Sequence, residues 1–298
     1  MFLKNKKSVG YIFWKCRWDI LLIVLITVAI SPVDNYVLND TVFPLTIPSL
    51  LGTLLSLILA FRTGQAYDRW WEARKVWGSI VNNSRSLVRS AEGFSTGSEE
   101  GKQFVKDIAL QQIAWTYALG QSLRGKNPIE GIDSYISATE VARLKGKANI
   151  PNALLQHQSQ RIKAARDQNL ITDFGQLRLD EIVRTNVDNM GMCERIKGTV
   201  FPSPYNLFLH ITIYVFAVTL TIGITDFEGY IEIPSTIVIS AIFLAIERVA
   251  VLLQDPFENN PSDIPVTTLA YKIEVDLKQM AGIDKPPQPV QANKFFQM

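Results

Sequence analysis

Few side chains in this 298-residue chain stand where they could do chemistry. His157 and His210 are isolated in the sequence and read as satisfied or solvated imidazoles rather than metal ligands. Cys16 and Cys193 lie far apart, with no CxxC or Cys/His spacing. That argues against a disulfide framework or a zinc site and fits a protein facing a reducing cytoplasm. There is no GxSxG, P-loop, HExxH or cofactor fingerprint, so no catalytic residue, cofactor or metal is expected. Glu247 and Arg248 interrupt an apolar run near its end. An ionisable pair at membrane depth is a functional candidate by default. Near the interface it reads as structural, pairing with Asp19 or Arg17 or snorkelling to the headgroups.

A different chemistry is available to Thr53, Leu57 and Phe61. They recur at i, i+4 and i+8, and so share one helix face with a drift of roughly 40° per step. Ser49, Gly52 and Ser56 lie alongside and allow close helix approach. Copies of such a helix around an axis would stack rings of mostly apolar side chains, which restrict a pore by dewetting. Any Leu-rich spanning helix shows apolar residues at this spacing, so the residues alone leave both readings open.

These residues need a membrane helix to position them, and crossing the hydrocarbon core takes about 20 apolar residues. Four candidates appear. The first is centred on Ile20–Ile30 and needs Tyr11–Asp19 or the stretch toward Val37 to complete a crossing. The second lies between Asp40 and Arg62, with no charge from Thr41 to Phe61. The third lies between Lys197 and Asp226 with its apolar core at Leu207–Ile224, and the fourth is Ile233–Leu253. Trp14-Lys15-Cys16-Arg17 precedes the first run and no small-residue cleavage site follows it, so the run reads as a retained span. Pro32–Val42 and Thr225–Pro234 carry no Lys or Arg, whereas the N-terminus and both flanks of the middle region carry many. The positive-inside rule then places both termini and the middle in the cytoplasm.

Residues 62–206 hold 20 Lys and Arg against 15 Asp and Glu, and their periodicity is helical. Trp70, Ala73, Trp77, Ile80, Leu87 and Val88 share one face; Phe104, Ile108, Trp115 and Leu119 share another. Leu179, Ile182, Val183, Met190, Cys193 and Ile196 make a third stripe. Breakers fall at Gly93–Gly101, Gly125–Pro128 and Asn149–Pro151. No proline separates the second span from Arg62–Ala91, which predicts one helix leaving the membrane and continuing into the cytoplasm. The tail Gly282–Met298, with Pro286, Pro287 and Pro289, reads as irregular or draped over another subunit. The chain thus divides into 1–61 with the first two spans, a cytoplasmic helical region 62–206, the spans of 207–254, and a cytoplasmic segment 255–298. A net charge of +2 gives no field for nucleic acid.

Arg69-Trp70-Trp71, separated from Phe61 by seven residues, resembles the Arg-Trp-Trp motif of the bestrophin family. Asp255-Pro256-Phe257-Glu258 resembles the family's Asn/Asp-Pro-Phe element after the fourth span. The resemblance runs from about Gly10 to Met280 and looks like a bacterial homologue, without the long regulatory tail of animal members. It implies an all-α membrane protein with four spans per subunit and a cytoplasmic helical domain. It also implies assembly as a homopentamer in the inner membrane, conducting monovalent ions through one axial pore. The neck residues carry over to Thr53, Leu57 and Phe61, with Thr53 standing where the family has a bulkier apolar residue. The nearest match to the family's cytoplasmic constriction is Ile171.

The animal members' calcium clasp falls on Glu258-Asn259-Asn260-Pro261-Ser262-Asp263, which has two carboxylates where a hard cation wants several oxygens. That argues against calcium activation. Bacterial homologues suggest a monovalent cation such as sodium, with an anion channel as the alternative. Asp226, Glu228 and Glu232 in the outer mouth loop, with Asp34 and Asp40 on the same side, would concentrate cations. Acidic outer loops also follow from topology alone. A membrane-tethered enzyme or interaction module built on 62–206 remains the competing class.

Overall fold

The computed structural model describes residues 5–37, 43–199, 203–224 and 229–283. Among them every regular element is a helix. In chain order these are α1 (Asn5–Lys15), α2 (Arg17–Val37), α3 (Thr46–Phe94), α4 (Glu99–Leu123), α5 (Ala138–Leu144), α6 (Ile150–Asp167), α7 (Asp173–Gly198), α8 (Ser203–Gly223), α9 (Gly229–Gln254) and α10 (Val266–Met280). The expected all-α class is what the chain adopts.

α3 runs for 49 residues, more than twice the roughly 20 that a crossing needs. This is the expected helix that does not stop at the end of its charge-free run. Pro48 falls in its first turn, where the missing N–H costs nothing. α3, α8 and α9 carry windows long and apolar enough to cross a membrane. α2 completes its 21 residues by running toward Val37, and α1 is a separate helix broken from it at Cys16.

Two compact units emerge. One gathers the chain up to Trp70 and Val200–Asp255; the other gathers Trp71–Thr199 and the segment that begins at Pro256. The divisions fall at Trp70–Trp71, Thr199–Val200 and Asp255–Pro256, against sequence divisions after 61, 206 and 254. In the first unit α2 packs on α8 and α9, and α8 on α9. Its core joins Ile23, Leu55, Leu59, Leu209, Ile213, Phe216, Ala217 and Leu244. Gly52 lets α3 approach α8, since a Cβ there would come within 3.0 Å of the Phe216 ring.

In the second unit the stripes read from periodicity are the core. Ala73, Trp77, Ile80, Leu87, Val88, Ile108, Trp115, Leu119, Leu179, Cys193 and Ile196 are all buried. The helix starts are capped where breakers precede them. Ser98 accepts from the Gly101 N–H, Asn149 from Asn152, and Thr172 from Gly175, while Ser137 and Glu140 form a reciprocal capping box. α10 packs on α4, which makes the segment after Asp255 part of this unit rather than an appendage. Of the tail Gly282–Met298, residues 284–298 lie outside the described residues.

Candidate functional site

Along the first part of α3 the two faces differ sharply. Leu55, Leu59 and Arg62 are buried in the unit. Leu50, Leu54, Leu57 and Phe61 are 73%, 47%, 54% and 65% exposed, and Thr53 is exposed beside them. A row of large apolar side chains uncovered by its own chain must meet lipid or another subunit. The hydroxyls on this side do not make it polar. Ser49 donates to Leu45 O at 2.8 Å, Thr53 to Ser49 O at 2.9 Å and Ser56 to Gly52 O at 2.8 Å, so each is bonded to its own helix. The structure therefore places the three expected neck residues together on one open, largely apolar face.

Immediately after Phe61 the helix turns a guanidinium inward. Arg62 is 1% exposed, with its terminal nitrogen 3.8 Å from Glu247 Oε1 and 3.5 Å from Gln254 Oε1. Its guanidinium also lies 5.7 Å from the Tyr205 ring centroid. A buried arginine without a counter-charge would be strongly destabilising, so Glu247 is what permits Arg62 to sit there. The second Glu247 oxygen is 3.2 Å from His210 Nε2 on α8. Arg248 pairs with Asp19 at 3.3 Å, and the Tyr214 hydroxyl donates to the other Asp19 oxygen at 2.9 Å. The expected Asp19 partnership thus belongs to Arg248, while Glu247 serves Arg62 and His210. The sequence held one signal for this: an arginine closing the second span and a glutamate near the end of the fourth.

The two motifs that carried the resemblance meet in the first unit. Arg69 reaches Asp255 at 3.5 Å, and Gln254 Nε2 donates to the same carboxylate at 3.0 Å. Trp70 is half-buried and stacks on Tyr67, and Trp77 is fully buried in the second unit, as packing residues would be.

Two expected positions turn inward. Ile171 is only 5% exposed and forms an antiparallel bridge with Ser95. Its side chain is turned into its own unit rather than toward an open face. Phe174 and Leu177, in the first turns of α7, are 80% and 70% exposed instead. Their signal was present in sequence as apolar residues off the Leu179–Ile196 stripe. Glu232 is 2% exposed, buried in the first unit rather than facing a mouth. Asp226 and Glu228 lie outside the described residues.

The stretch equivalent to the calcium clasp is engaged within the second unit. Glu258 pairs with Lys197. Asp263 is fully buried and accepts the Asn260 N–H at 3.0 Å, tying its own loop. Burial pushes its carboxyl up to about 6, against the backbone N–H groups and the Arg124 charge that favour ionisation. Among the described residues no three His, Cys, Asp or Glu side chains are placed to hold a metal.

Comparison with known proteins gives a consistent answer. The family model for bacterial and fungal bestrophin proteins matches residues 7–279. A voltage-dependent anion channel-forming protein of Mesorhizobium japonicum is 30% identical over 255 residues, covering 86% of this chain and 81% of the relative. One from Escherichia coli K12 is 28% identical over 250 residues, covering 84% and 81%. The crystal structure of a bacterial bestrophin homologue from Klebsiella pneumoniae superposes with a TM-score of 0.83 at 25% identity, covering 90% of this chain and 99% of that one.

Proposed function

The chain belongs to the bacterial and fungal bestrophin family, and from that premise we propose that five copies surround one axis as an ion channel of the inner membrane. α2, α3, α8 and α9 are the four spans, with both termini and the region Trp71–Thr199 on the cytoplasmic side. α3 of each copy lines a narrow neck of three rings, Thr53, Leu57 and Phe61. The exposed apolar row on α3 is the observation that carries this reading. Thr53 loosens the outer ring, because a threonine is smaller than the bulkier apolar residue that stands there in the family. Phe174 and Leu177 take the role of the cytoplasmic constriction, since their side chains stand free of their own unit.

Such a neck discriminates weakly by charge, so selectivity rests on the fields at its two ends. A monovalent cation such as sodium is favoured by the outer loops. Asp40, Asp226 and Glu228 fall there, and Asp34 stands in the last turn of α2, without a Lys or Arg. A small anion such as chloride is the second reading, favoured by what the Mesorhizobium and E. coli relatives are named to conduct. Purified protein in planar bilayers under a salt gradient decides: the reversal potential moves toward the cation or the anion equilibrium value. Protein of pentameric mass that carries no current at any voltage would end the channel reading.

A further inference from the structure

The ionic cluster behind the neck carries more than packing. Arg62 follows Phe61 directly, and its buried charge is met by a carboxylate that a histidine also approaches. We propose that Glu247 is a positioning residue for the Phe61 ring and that protonation of His210 loosens its hold on Arg62, so that acid pH opens the neck. This rests on the reading of α3 as the pore helix.

The geometry is poised for that competition. The Arg62–Glu247 contact is long at 3.8 Å, whereas His210 Nε2 stands 3.2 Å from the other oxygen. At that distance the imidazole is within hydrogen-bond reach of the carboxylate. His210 retains 27% side-chain exposure, enough for a proton to arrive, while Glu247 and Arg62 retain 2% and 1%. The groups facing the pair are Asp19 from α2, Arg62 from α3, Tyr205 and Tyr214 from α8, Arg248 from α9, and Cys16 at the α1–α2 joint. With a neutral imidazole, two cations face two carboxylates and the cluster is balanced. One proton on His210 leaves it with an excess positive charge. Glu247 then has two cations to serve, and the nearer can form a charge-assisted hydrogen bond. Arg62, held less firmly, lets α3 rotate near Phe61. A ring aimed at the axis is at its narrowest, so departure from that aim widens the neck.

Currents are recorded from the reconstituted full-length channel at pH about 7.5 and about 5.5, bracketing the ordinary histidine range. Wild type is expected to conduct roughly fivefold more at the lower pH, the size of a modest shift in a two-state equilibrium. His210→Gln keeps the neutral-pH current and loses the step. Asp19→Asn keeps the step and moves its midpoint, since Asp19 faces the imidazole without joining it to α3. Glu247→Asp retains the charge with shorter reach and raises the neutral-pH current, which a purely structural role would not do. Current that is flat with pH in wild type, or a step that persists in His210→Gln, overturns the inference and leaves the channel intact. Absence of current in every protein at both pH values removes the pore reading and this one with it.

Discussion

The two halves of α3 are one continuous helix obeying opposite rules. From Trp71 onward its buried face is apolar, with Trp77, Ile80, Leu87 and Val88, while Lys75, Arg85, Arg89 and Glu92 are exposed. Before Arg62 the exposed face is apolar and the buried face ends in a charge. The polar groups inside differ as well. In the second unit the buried network that reaches α3 is neutral: Gln112 donates to Ser84 at 2.8 Å and accepts from Gln158 at 3.3 Å and Asn186 at 3.4 Å, tying α3, α4, α6 and α7 together. In the first unit the buried network that reaches α3 is ionic, through Arg62 and Glu247 with Asp19 and Arg248 beside them. Water rewards a charged exterior, and lipid or a partner subunit rewards an apolar one. The same backbone serves both surroundings by exchanging which face carries which side chains.

Removing one member of the ionic core should have the largest effect. Glu247→Leu leaves Arg62 buried without its counter-charge and is expected to cost about 3–5 kcal/mol, read as lost thermal stability and yield in detergent. The double variant Arg62→Met with Glu247→Leu should recover much of that loss; no recovery would show that the pair is not what holds α3 in its unit. In the neutral core, Trp77→Ala is expected to cost roughly 3–5 kcal/mol through its cavity, with no effect specific to conduction.

Asp263 sharpens the comparison through pH. Its folded value near 6 lies above its ordinary 3.8, so the folded chain binds the proton more tightly than the unfolded chain. Its contribution is therefore greatest below the ordinary value and falls as pH rises through about 6. The full loss is on the order of 3 kcal/mol. Melting of wild type and Asp263→Asn between those limits tests the sign: wild type should lose stability relative to the variant as pH rises. Phe61→Ala should raise current several-fold while changing stability by less than about 1 kcal/mol, because its ring touches little of its own chain. A large stability loss there would mean the open face of α3 is covered by contacts the single chain does not contain. Smallest of all, Arg85→Ala breaks a partly exposed pair with Asp276 and should cost under about 1 kcal/mol, more at low salt than high.

Helix existence, the long run of α3 and the buried stripes of the second unit were legible because each depends on local periodicity. Leu179 through Ile196 needed no knowledge of what α7 packs against. The placement of Thr53, Leu57 and Phe61 on one face was legible for the same reason, although periodicity alone did not say that the face is uncovered. Ile171 misled because it lies between helices, at a bridge to Ser95, where no repeat governs which way a side chain turns. Glu232 misled because a carboxylate beside a loop reads as solvated until its neighbours are known.

By itself, the order of residues determined the helical class, the charge-free spans, the family and the apolar row on α3. Each follows from spacing along one segment. Tertiary structure alone decided that Glu247 meets both Arg62 and His210, that Arg69 meets Asp255, and that α10 joins the unit of α4. Those partners are up to 186 residues apart or belong to different helices, and the Coulomb attraction and packing that join them act through space rather than along the chain.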